Sequence, residues 1–352
     1  MPHVWANGIN VHYTAEGNGP PLVMLHGASS SALEDWSAQR PLFRRVFRLY
    51  LVDLRGHAGT RGPIGPALST ADLADDLLAT VDALGLSTFH LAGFSLGGLT
   101  ALQFAVRHVD RLRTLVLVGV DPQREPRGSV ARVLMDPDRI EREEPGWAAQ
   151  LERRHEPVQG PGAWRNIMRA VHAGIASETP VTPAELRRLR VPTLLVVGDR
   201  DVFVPVDHAV AFFRQLPDAQ LCIVPDCGHQ AMVLRPGLFR DVAEHFYRAT
   251  EAVASERAMA GQRGGAAAAG PRRAPMPGTM GLGARALSPD AGAPEGGPWV
   301  PSASPDAVLP AGQSSIAPQP GQPSARPAPS PSPDPDHPSD PYPHPATPGG
   351  PR

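Results

Sequence analysis

The segment Gly93-Phe94-Ser95-Leu96-Gly97 constrains the fold of this chain more than any other, because it places a G-x-S-x-G pattern between a predicted strand and a predicted helix. An apolar run at residues 89–92 precedes the segment, and residues 96–106 carry apolar side chains at helical spacing. The glycines leave room for a sharp turn in which side chains would clash. Such a turn presents Ser95 at a helix N-terminus, where a backbone N–H can stabilise a developing negative charge.

Four other polar or glycine-containing sites follow short apolar runs in the same way. They are His26-Gly27-Ala28 after residues 22–25, Asp53-Leu54-Arg55-Gly56-His57 after residues 49–52, Gly198-Asp199-Arg200-Asp201 after residues 194–197, and Gly228-His229 after residues 221–224. Ligand sites of open parallel sheets lie just beyond the carboxyl ends of the strands. The pattern therefore predicts an α/β fold, in which a mostly parallel central sheet is flanked by helices and carries its functional residues along one edge.

Together these motifs resemble those of the α/β-hydrolase superfamily over roughly residues 1–248. His26-Gly27 is similar to the oxyanion-loop motif of that family, and residues 93–97 are similar to its nucleophile elbow. Residues 198–205 match the acid-loop pattern G-x-x-D-x-x-x-P, and Gly228-His229 resembles the histidine loop.

The resemblance implies a catalytic triad of Ser95, Asp201 and His229, whose order along the chain is the order expected for this fold. Ser95 would be the nucleophile and His229 the general base, while Asp201 would orient the imidazole. The backbone N–H groups of Ala28 and Leu96 would form the oxyanion hole.

A second carboxylate remains open as the orienting acid. Asp121 follows the predicted strand at residues 112–118, and some relatives carry the acid after that strand. We favour Asp201, because the glycine and the proline of the acid-loop pattern flank it, whereas Asp121 is followed directly by a proline.

The chain divides into a predicted core, an insertion and a tail. Residues 1–120 and 185–250 alternate apolar runs with amphipathic segments, as an α/β core requires. Residues 121–184 interrupt this alternation and predict several short helices, and the resemblance implies that they form a cap over the active site. Residues 251–352 hold 23 of the 42 prolines and no apolar runs, so we predict a disordered tail.

The insertion also contains candidate pocket residues. Trp147, Trp164 and Met168 are candidates for the substrate pocket, although large apolar residues at helical spacing more often belong to a core. We interpret His155 and His172 as surface residues of the cap.

Local signals predict several individual elements. Asn7-Gly8 predicts a β-hairpin between the two alternating segments that flank it. The apolar spacing over residues 70–84 predicts a helix with Ser69 or Thr70 as its N-cap. A last helix is predicted over residues 238–249.

Composition excludes several classes of function. The net charge is −2 and the pI is about 6.7, which gives no electrostatic reason to expect nucleic acid or an anionic membrane as a partner. All 33 basic residues are arginine, so a lysine Schiff base is excluded. Cys222 and Cys227 are too few for a disulfide framework or a zinc site, and no His, Asp or Glu cluster has metal-ligand spacing. We therefore expect neither a metal nor a cofactor.

The sequence gives no sign of membrane insertion or export. The first residues carry no basic and apolar leader, and no apolar run reaches the roughly 20 residues needed to span a bilayer. We therefore expect a cytoplasmic protein whose partner is a small-molecule substrate, and the oligomeric state stays open.

The function that these residues predict is hydrolysis of a small carboxylic ester or lactone through an acyl-enzyme. Carbon–carbon bond hydrolysis, thioester hydrolysis and cofactor-free perhydrolysis are alternatives at the same triad. A ligand-sensing or partner-binding protein with little turnover is an alternative of another class.

The composition of the tail generates a first prediction. Removal of residues 256–352 should leave the melting temperature nearly unchanged, because a segment so poor in apolar residues buries too little surface to offset its chain entropy. Thermal unfolding of the full and shortened chains, followed by circular dichroism, checks this. A marked drop in melting temperature would mean that part of this segment packs on the core.

Overall fold

An eight-stranded sheet organises the part of the chain that the computed structural model describes, residues 2–123 and 125–267. Its strands are β1 (His3–Ala6), β2 (Ile9–Glu16), β3 (Pro21–Leu25), β4 (Arg48–Val52), β5 (Phe89–Phe94), β6 (Leu112–Val118), β7 (Thr193–Gly198) and β8 (Ala219–Val224). Their order is β1-β2-β4-β3-β5-β6-β7-β8, and only the pairs β1–β2 and β2–β4 are antiparallel. The predicted α/β fold with a mostly parallel sheet is confirmed.

Helices follow most of the strands. They are α1 (Ala32–Asp35), α2 (Arg40–Phe43), α3 (Thr70–Ala83), α4 (Leu96–Arg107), α5 (Arg127–Leu134), α6 (Pro137–Glu143), α7 (Pro145–Gln159), α8 (Ala163–Ser177), α9 (Pro183–Leu186), α10 (Val206–Phe213), α11 (Ala231–Leu234) and α12 (Pro236–Ala267), with a 3₁₀ turn at Val109–Arg111.

The predicted hairpin and the predicted α3 helix are both confirmed. Asn7 and Gly8 have φ values of 46° and 73°, and two positive φ angles are what a type I′ turn between β1 and β2 requires. At the start of α3, the Ser69 side chain accepts a hydrogen bond from the N–H of Asp72. Gly85 follows the end of α3 with a φ of 70°, a left-handed conformation that stops a helix.

The central parallel strands, unlike the edge strand β8, are buried on both faces because helices cover each side of the sheet. In β3, Val23 and Leu25 belong to an apolar cluster with residues of α3, α4 and the insertion, whereas Leu22 and Met24 belong to a second cluster with residues of α1, α2 and α12. None of these four side chains is exposed. Burial of each of these side chains stabilises the folded state by about 1.5–3 kcal/mol. This packing fixes β3 and its neighbours, and with them the edge of the sheet at which the parallel strands end.

The insertion between β6 and β7 is helical, as predicted, and comprises α5–α9. Its first helix, α5, meets the end of α8 at a buried ion pair, in which Arg127 lies 3.0 Å from Glu178 and each side chain is 7% exposed. The hydroxyl of Thr70 on α3 donates to the same carboxylate. A Cβ at Gly174 would lie 2.0 Å from the carbonyl oxygen of Leu68, so α8 packs against the core backbone at a distance that only glycine permits. These contacts fasten the insertion to the core.

The last helix is longer than predicted. Because α12 spans Pro236–Ala267, its predicted end near residue 249 is wrong, and residue 251, the predicted start of the tail, lies within the helix. Residues 251–260 read EAVASERAMA and contain strong helix formers but neither proline nor glycine. The rest of the predicted tail, residues 268–352, lies outside the described residues. Within those that are described, no helix combines the length and the apolar character needed to cross a membrane.

His90 on β5 is a buried titratable group in this core. Its Nδ1 lies 2.8 Å from the Thr114 hydroxyl, and its Nε2 lies 3.3 Å from the carboxylate of Glu251 on α12. Burial, with a smaller contribution from the positive charge of Arg113, lowers the pKa of His90 to about 4.

We expect the free energy of unfolding to decrease as the pH falls from about 6.5 to about 4. The folded-state pKa of His90 lies below its unfolded value, because the folded protein favours the neutral ring. This preference contributes about 3 kcal/mol to the free energy of unfolding. The contribution is complete above pH 6.5 and is lost as the pH falls through about 4. His90→Asn keeps a polar atom opposite Thr114 but does not titrate. Urea unfolding at pH 7 and at about pH 4.5 should show a smaller loss of stability for the variant, by about 2 kcal/mol. An equal loss in both proteins would contradict the assignment.

Candidate active site

Ser95 lies between β5 and α4 with a strained backbone. Its φ and ψ are 50° and −116°, a conformation that costs a non-glycine residue about 1–3 kcal/mol. Its N–H donates to the carbonyl of Val118 on β6 at 2.9 Å. A Cβ at Gly93 would lie 2.4 Å from the carbonyl oxygen of Gly97, and a Cβ at Gly97 would lie 2.4 Å from that of His26. Close backbone contacts therefore require both glycines of the motif.

A chain of hydrogen bonds joins Ser95, His229 and Asp201. His229 Nε2 lies 2.9 Å from Ser95 Oγ, and His229 Nδ1 lies 2.8 Å from Asp201 Oδ2. The other carboxylate oxygen of Asp201 accepts the N–H groups of Phe203 and Val204 at 2.8 and 3.2 Å. Because an ionised carboxylate only accepts, the proton of a neutral His229 lies on Nδ1 and Nε2 is left to accept the serine hydroxyl.

The ring of His229 is held by neighbours that the sequence did not point to. Its centroid lies 4.5 Å from the ring of Phe203 and 5.0 Å from that of Phe94. Gly119 has a φ of 60°, and a Cβ there would lie 2.9 Å from both Cε1 and Nδ1 of His229. The only signal for Gly119 is its place directly after β6. The imidazole of His229 thus occupies the space that a side chain in place of Gly119 would need.

Asp121, the alternative acid, is bonded elsewhere. Its Oδ2 lies 2.7 Å from Nδ1 of His208 on α10, and its Oδ1 accepts the N–H of Gln123 at 2.9 Å. Asp201, by contrast, contacts His229 directly. The structure therefore brings together the three residues that the sequence proposed as a triad and places Asp121 beside a different histidine.

One predicted oxyanion donor, Leu96, directly follows Ser95 in sequence, and the other, Ala28, lies in a neighbouring loop. Leu96 is the first residue of α4, so its N–H has no acceptor within the helix. Ala28 lies in the loop after β3, and a Cβ at the preceding Gly27 would lie 3.4 Å from Ser95 Cβ. The N–H of Gly97 donates to the His26 carbonyl at 3.0 Å, which joins this loop to the start of α4.

His26 and Asp35 fix the peptide that precedes Ala28. His26 Nε2 accepts the N–H of Leu54 at 2.9 Å, so the ring proton is on Nδ1, which donates to the Gly27 carbonyl at 2.6 Å. That carbonyl belongs to the peptide group whose N–H is on Ala28. Asp35 accepts the N–H of Gly27 at 2.8 Å, and burial raises the pKa of this carboxyl. His26 therefore orients its own loop.

Asp53 joins the loop after β4 to the start of α1. It accepts the N–H groups of Ala32 and Gly59 at 3.0 and 3.2 Å and lies 2.7 Å from Nδ1 of His12. Burial would raise the pKa of Asp53, but hydrogen bonds with His12 and the backbone and the charge of His26 outweigh it, so its pKa is lowered. This carboxylate is part of the scaffold beside the elbow.

The candidate pocket residues lie in apolar surroundings. Trp164 and Met168 on α8 have no exposed surface and belong to the main apolar cluster, and Trp147 on α7 is half-buried at its edge. Their contribution to substrate binding stays a prediction.

His155 corrects our interpretation of the cap surface. It is fully buried, not exposed, and its ring lies 5.6 Å from that of His57. Burial lowers the pKa of His155 to about 4, so the ring is neutral at pH 7. The prediction was wrong because α7 is polar on most of its surface, and the sequence around His155 does not show which polar side chain faces the core loops.

Within the described residues, no group of three or more His, Cys, Asp or Glu side chains is placed to hold a metal ion. Both cysteines are free thiols, and burial raises the pKa of each.

Comparisons with known proteins identify the family to which this fold belongs. The family model that matches, described as the alpha/beta hydrolase fold, covers residues 20–156. A 2-hydroxy-6-oxo-6-phenylhexa-2,4-dienoate hydrolase from Comamonas testosteroni is 27% identical over 268 residues, which is 68% of this chain and 91% of the relative. A pimeloyl-(acyl-carrier protein) methyl ester esterase from Nitrosomonas europaea is 30% identical over 255 residues, or 65% of this chain and 96% of the relative.

Solved structures give the same result. A thermophilic esterase from Thermogutta terrifontis is similar with a TM-score of 0.59 and 26% identity, over 71% of this chain and 98% of the esterase. The similarity therefore spans nearly the whole length of each of these proteins.

The contact between Ser95 and His229 predicts a selectively reactive serine. A fluorophosphonate probe should label the wild type at Ser95 and leave Ser95→Ala unlabelled, because an imidazole that can remove the hydroxyl proton makes the oxygen nucleophilic. Peptide mass spectrometry identifies the modified residue. Ser129→Ala, on the exposed surface of α5, is the matched control and should be labelled like the wild type. Labelling of Ser95→Ala would contradict this assignment.

Proposed function

Because the chain belongs to the α/β hydrolase family and is therefore a hydrolase, we propose that it cleaves a small carboxylic ester or lactone through an acyl-enzyme on Ser95. The observation that carries the proposal is the pair of hydrogen bonds from Ser95 to His229 and from His229 to Asp201, 2.9 and 2.8 Å long. A serine in a strained turn beside a neutral imidazole is an arrangement in which a hydroxyl acts as a nucleophile.

Acylation begins when Ser95 Oγ attacks the carbonyl carbon of the substrate and passes its proton to His229 Nε2. The imidazolium that forms is stabilised by the carboxylate of Asp201, which also keeps the ring in one orientation. The N–H groups of Ala28 and Leu96 donate to the oxyanion of the tetrahedral intermediate. His229 then returns the proton to the leaving oxygen, the carbon–oxygen bond breaks, and the alcohol departs.

Deacylation repeats these steps with water. His229 Nε2 takes a proton from the water as its oxygen attacks the acyl carbonyl, and the same two N–H groups stabilise the second oxyanion. The proton returns to Ser95 Oγ as the acyl–oxygen bond breaks and the carboxylic acid is released. With a lactone, the alcohol and the acid are parts of one product. No step needs a metal or a cofactor.

Cleavage of a carbon–carbon bond at the same residues is a second candidate. It is favoured by the relative from Comamonas testosteroni, whose name gives a 2-hydroxy-6-oxo-6-phenylhexa-2,4-dienoate as its substrate. The leaving group in this reaction is a carbon, which must be protonated or stabilised as a carbanion before the bond breaks. The ester reaction makes no such demand, because an alkoxide oxygen accepts the proton of His229 directly.

A substrate panel separates these candidates. Purified protein is tested with nitrophenyl esters of increasing acyl length, with lactones, with thioesters, with a 2-hydroxy-6-oxo-dienoate, and for peracid formation from a carboxylic acid and hydrogen peroxide. Turnover of esters or lactones well above the other classes supports the proposal. Tight binding of a ligand with negligible turnover would instead indicate a sensor.

The geometry also predicts which acid assists His229. Asp201→Asn should lower ester turnover by up to about 10⁴-fold, because an amide can donate to Nδ1 and stabilise the wrong tautomer. Asp121→Asn should lose less than about tenfold, since that carboxylate lies beside His208 rather than His229. Steady-state kinetics on both variants, with circular dichroism to verify folding, check this. The reverse order would assign the acid to Asp121.

A further inference from the structure

Two adjacent side chains of the insertion reach the loop that carries Ala28. On α7, Nε2 of His155 lies 3.2 Å from the carbonyl oxygen of Ser29, and Nη1 of Arg154 donates to the same oxygen. Nε of Arg154 also pairs with the carboxylate of Glu34 on α1, the helix that follows this loop. A helix of the insertion is thus bonded to the residue directly after the proposed oxyanion donor.

The hydrogen-bonding roles of His155 follow from its other partner. Nδ1 of His155 accepts the N–H of Ala58 at 3.0 Å, so the proton of the neutral ring is on Nε2 and is donated to Ser29. Ala58 has a φ of 41° and Ser29 a φ of 64°. His155 therefore joins the loops after β3 and β4 at two residues that both have left-handed backbones.

The conformation of Ser29 controls the direction of the neighbouring peptides. The N–H of Ser30 donates to the Gly27 carbonyl at 3.4 Å, so Ala28 and Ser29 are the central residues of a tight turn. A non-glycine residue with a positive φ at the second central position is unfavourable unless its surroundings hold it there. Two donors on the Ser29 carbonyl supply that restraint.

We propose that Arg154 and His155 are positioning residues that hold the turn at Ser29, and thereby aim the N–H of Ala28 at the oxyanion. The inference rests on the proposed function and deepens it, because it makes a helix of the insertion part of the support of the oxyanion hole. Neither side chain is hydrogen-bonded to Ser95, His229 or Asp201.

The consequence for catalysis is a loss of transition-state stabilisation when these donors are removed. A misplaced Ala28 N–H would still leave Ser95, His229 and Asp201 in contact. The expected effect therefore falls on kcat more than on KM, because the oxyanion exists only in the tetrahedral intermediate and the transition states that lead to and from it.

Two substitutions at one position separate the hydrogen bonds of His155. His155→Asn places an amide oxygen where Nδ1 accepts from Ala58 but has no donor that reaches Ser29. His155→Gln places an amide nitrogen near the position of Nε2 and keeps the donor to Ser29. Arg154→Met removes the second donor, and Glu34→Gln is the control that weakens the ion pair but leaves both donors in place.

The readout is the ratio of kcat/KM for a nitrophenyl ester to that for the corresponding thionoester, in which sulfur replaces the carbonyl oxygen. A well-formed oxyanion hole favours oxygen, because sulfur is larger and a weaker acceptor. We expect kcat to fall about 10- to 100-fold in His155→Asn and in Arg154→Met. The ratio should fall by about tenfold in both, while His155→Gln restores most of it and Glu34→Gln leaves it at the wild-type value.

Each outcome decides between the possibilities. A fall in kcat with an unchanged ratio in both His155→Asn and Arg154→Met would mean that these residues only stabilise the cap, and it would overturn the proposal. Wild-type kinetics in both would overturn it as well. If His155→Asn does not fold, as judged by circular dichroism, Arg154→Met alone gives the answer. Absence of Ser95-dependent turnover by the wild type on any ester is a different result, which would overturn the proposed function and this inference with it.

Discussion

The backbone of Ser95 is the constraint on which the rest of the site depends. Its φ of 50° and ψ of −116° turn the chain from a strand into a helix within one residue. That turn brings neighbouring backbones so close that a Cβ would clash at two positions, and both positions are glycine, Gly93 and Gly97. Because β3, β5, β6, β7 and β8 are parallel neighbours, their carboxyl ends supply these contacts and also place the loops of Asp201 and His229 at the same edge.

Buried polar groups hold the surrounding loops, which have little regular structure of their own. Asp35 accepts a backbone N–H of the loop after β3, and Asp53 accepts one from α1 and one from the loop after β4. Each buried carboxylate would be costly without such partners. On the other side, His155 and Arg154 join α7 to the same loop after β3. The position of the proposed oxyanion donor is therefore set by both the core and the insertion.

Features decided by local chemistry could be predicted from the sequence. Asn7 and Gly8 tolerate the positive φ angles of the hairpin, and Ser69 caps α3 because its side chain accepts an orphan N–H of the first turn. The alternation of apolar runs with amphipathic segments predicted the mostly parallel sheet. The three residues proposed as a triad are in contact. The predicted end of α12 is wrong, because the prediction gave the proline content of the whole tail more weight than the helix-forming residues that directly follow residue 250.

The sequence by itself determined the sharp turn at Ser95, the α/β fold and the order of the candidate triad, because glycine spacing and apolar periodicity act over a few neighbouring residues. Only the tertiary structure shows which histidine each of the two carboxylates contacts, since Asp121 and Asp201 both follow strands but Asp121 lies beside His208 and Asp201 beside His229. It also decided that His155 is buried. The direction of a polar side chain on α7 depends on how that helix packs against loops that are distant in sequence. The residues next to His155 in the sequence do not indicate this packing.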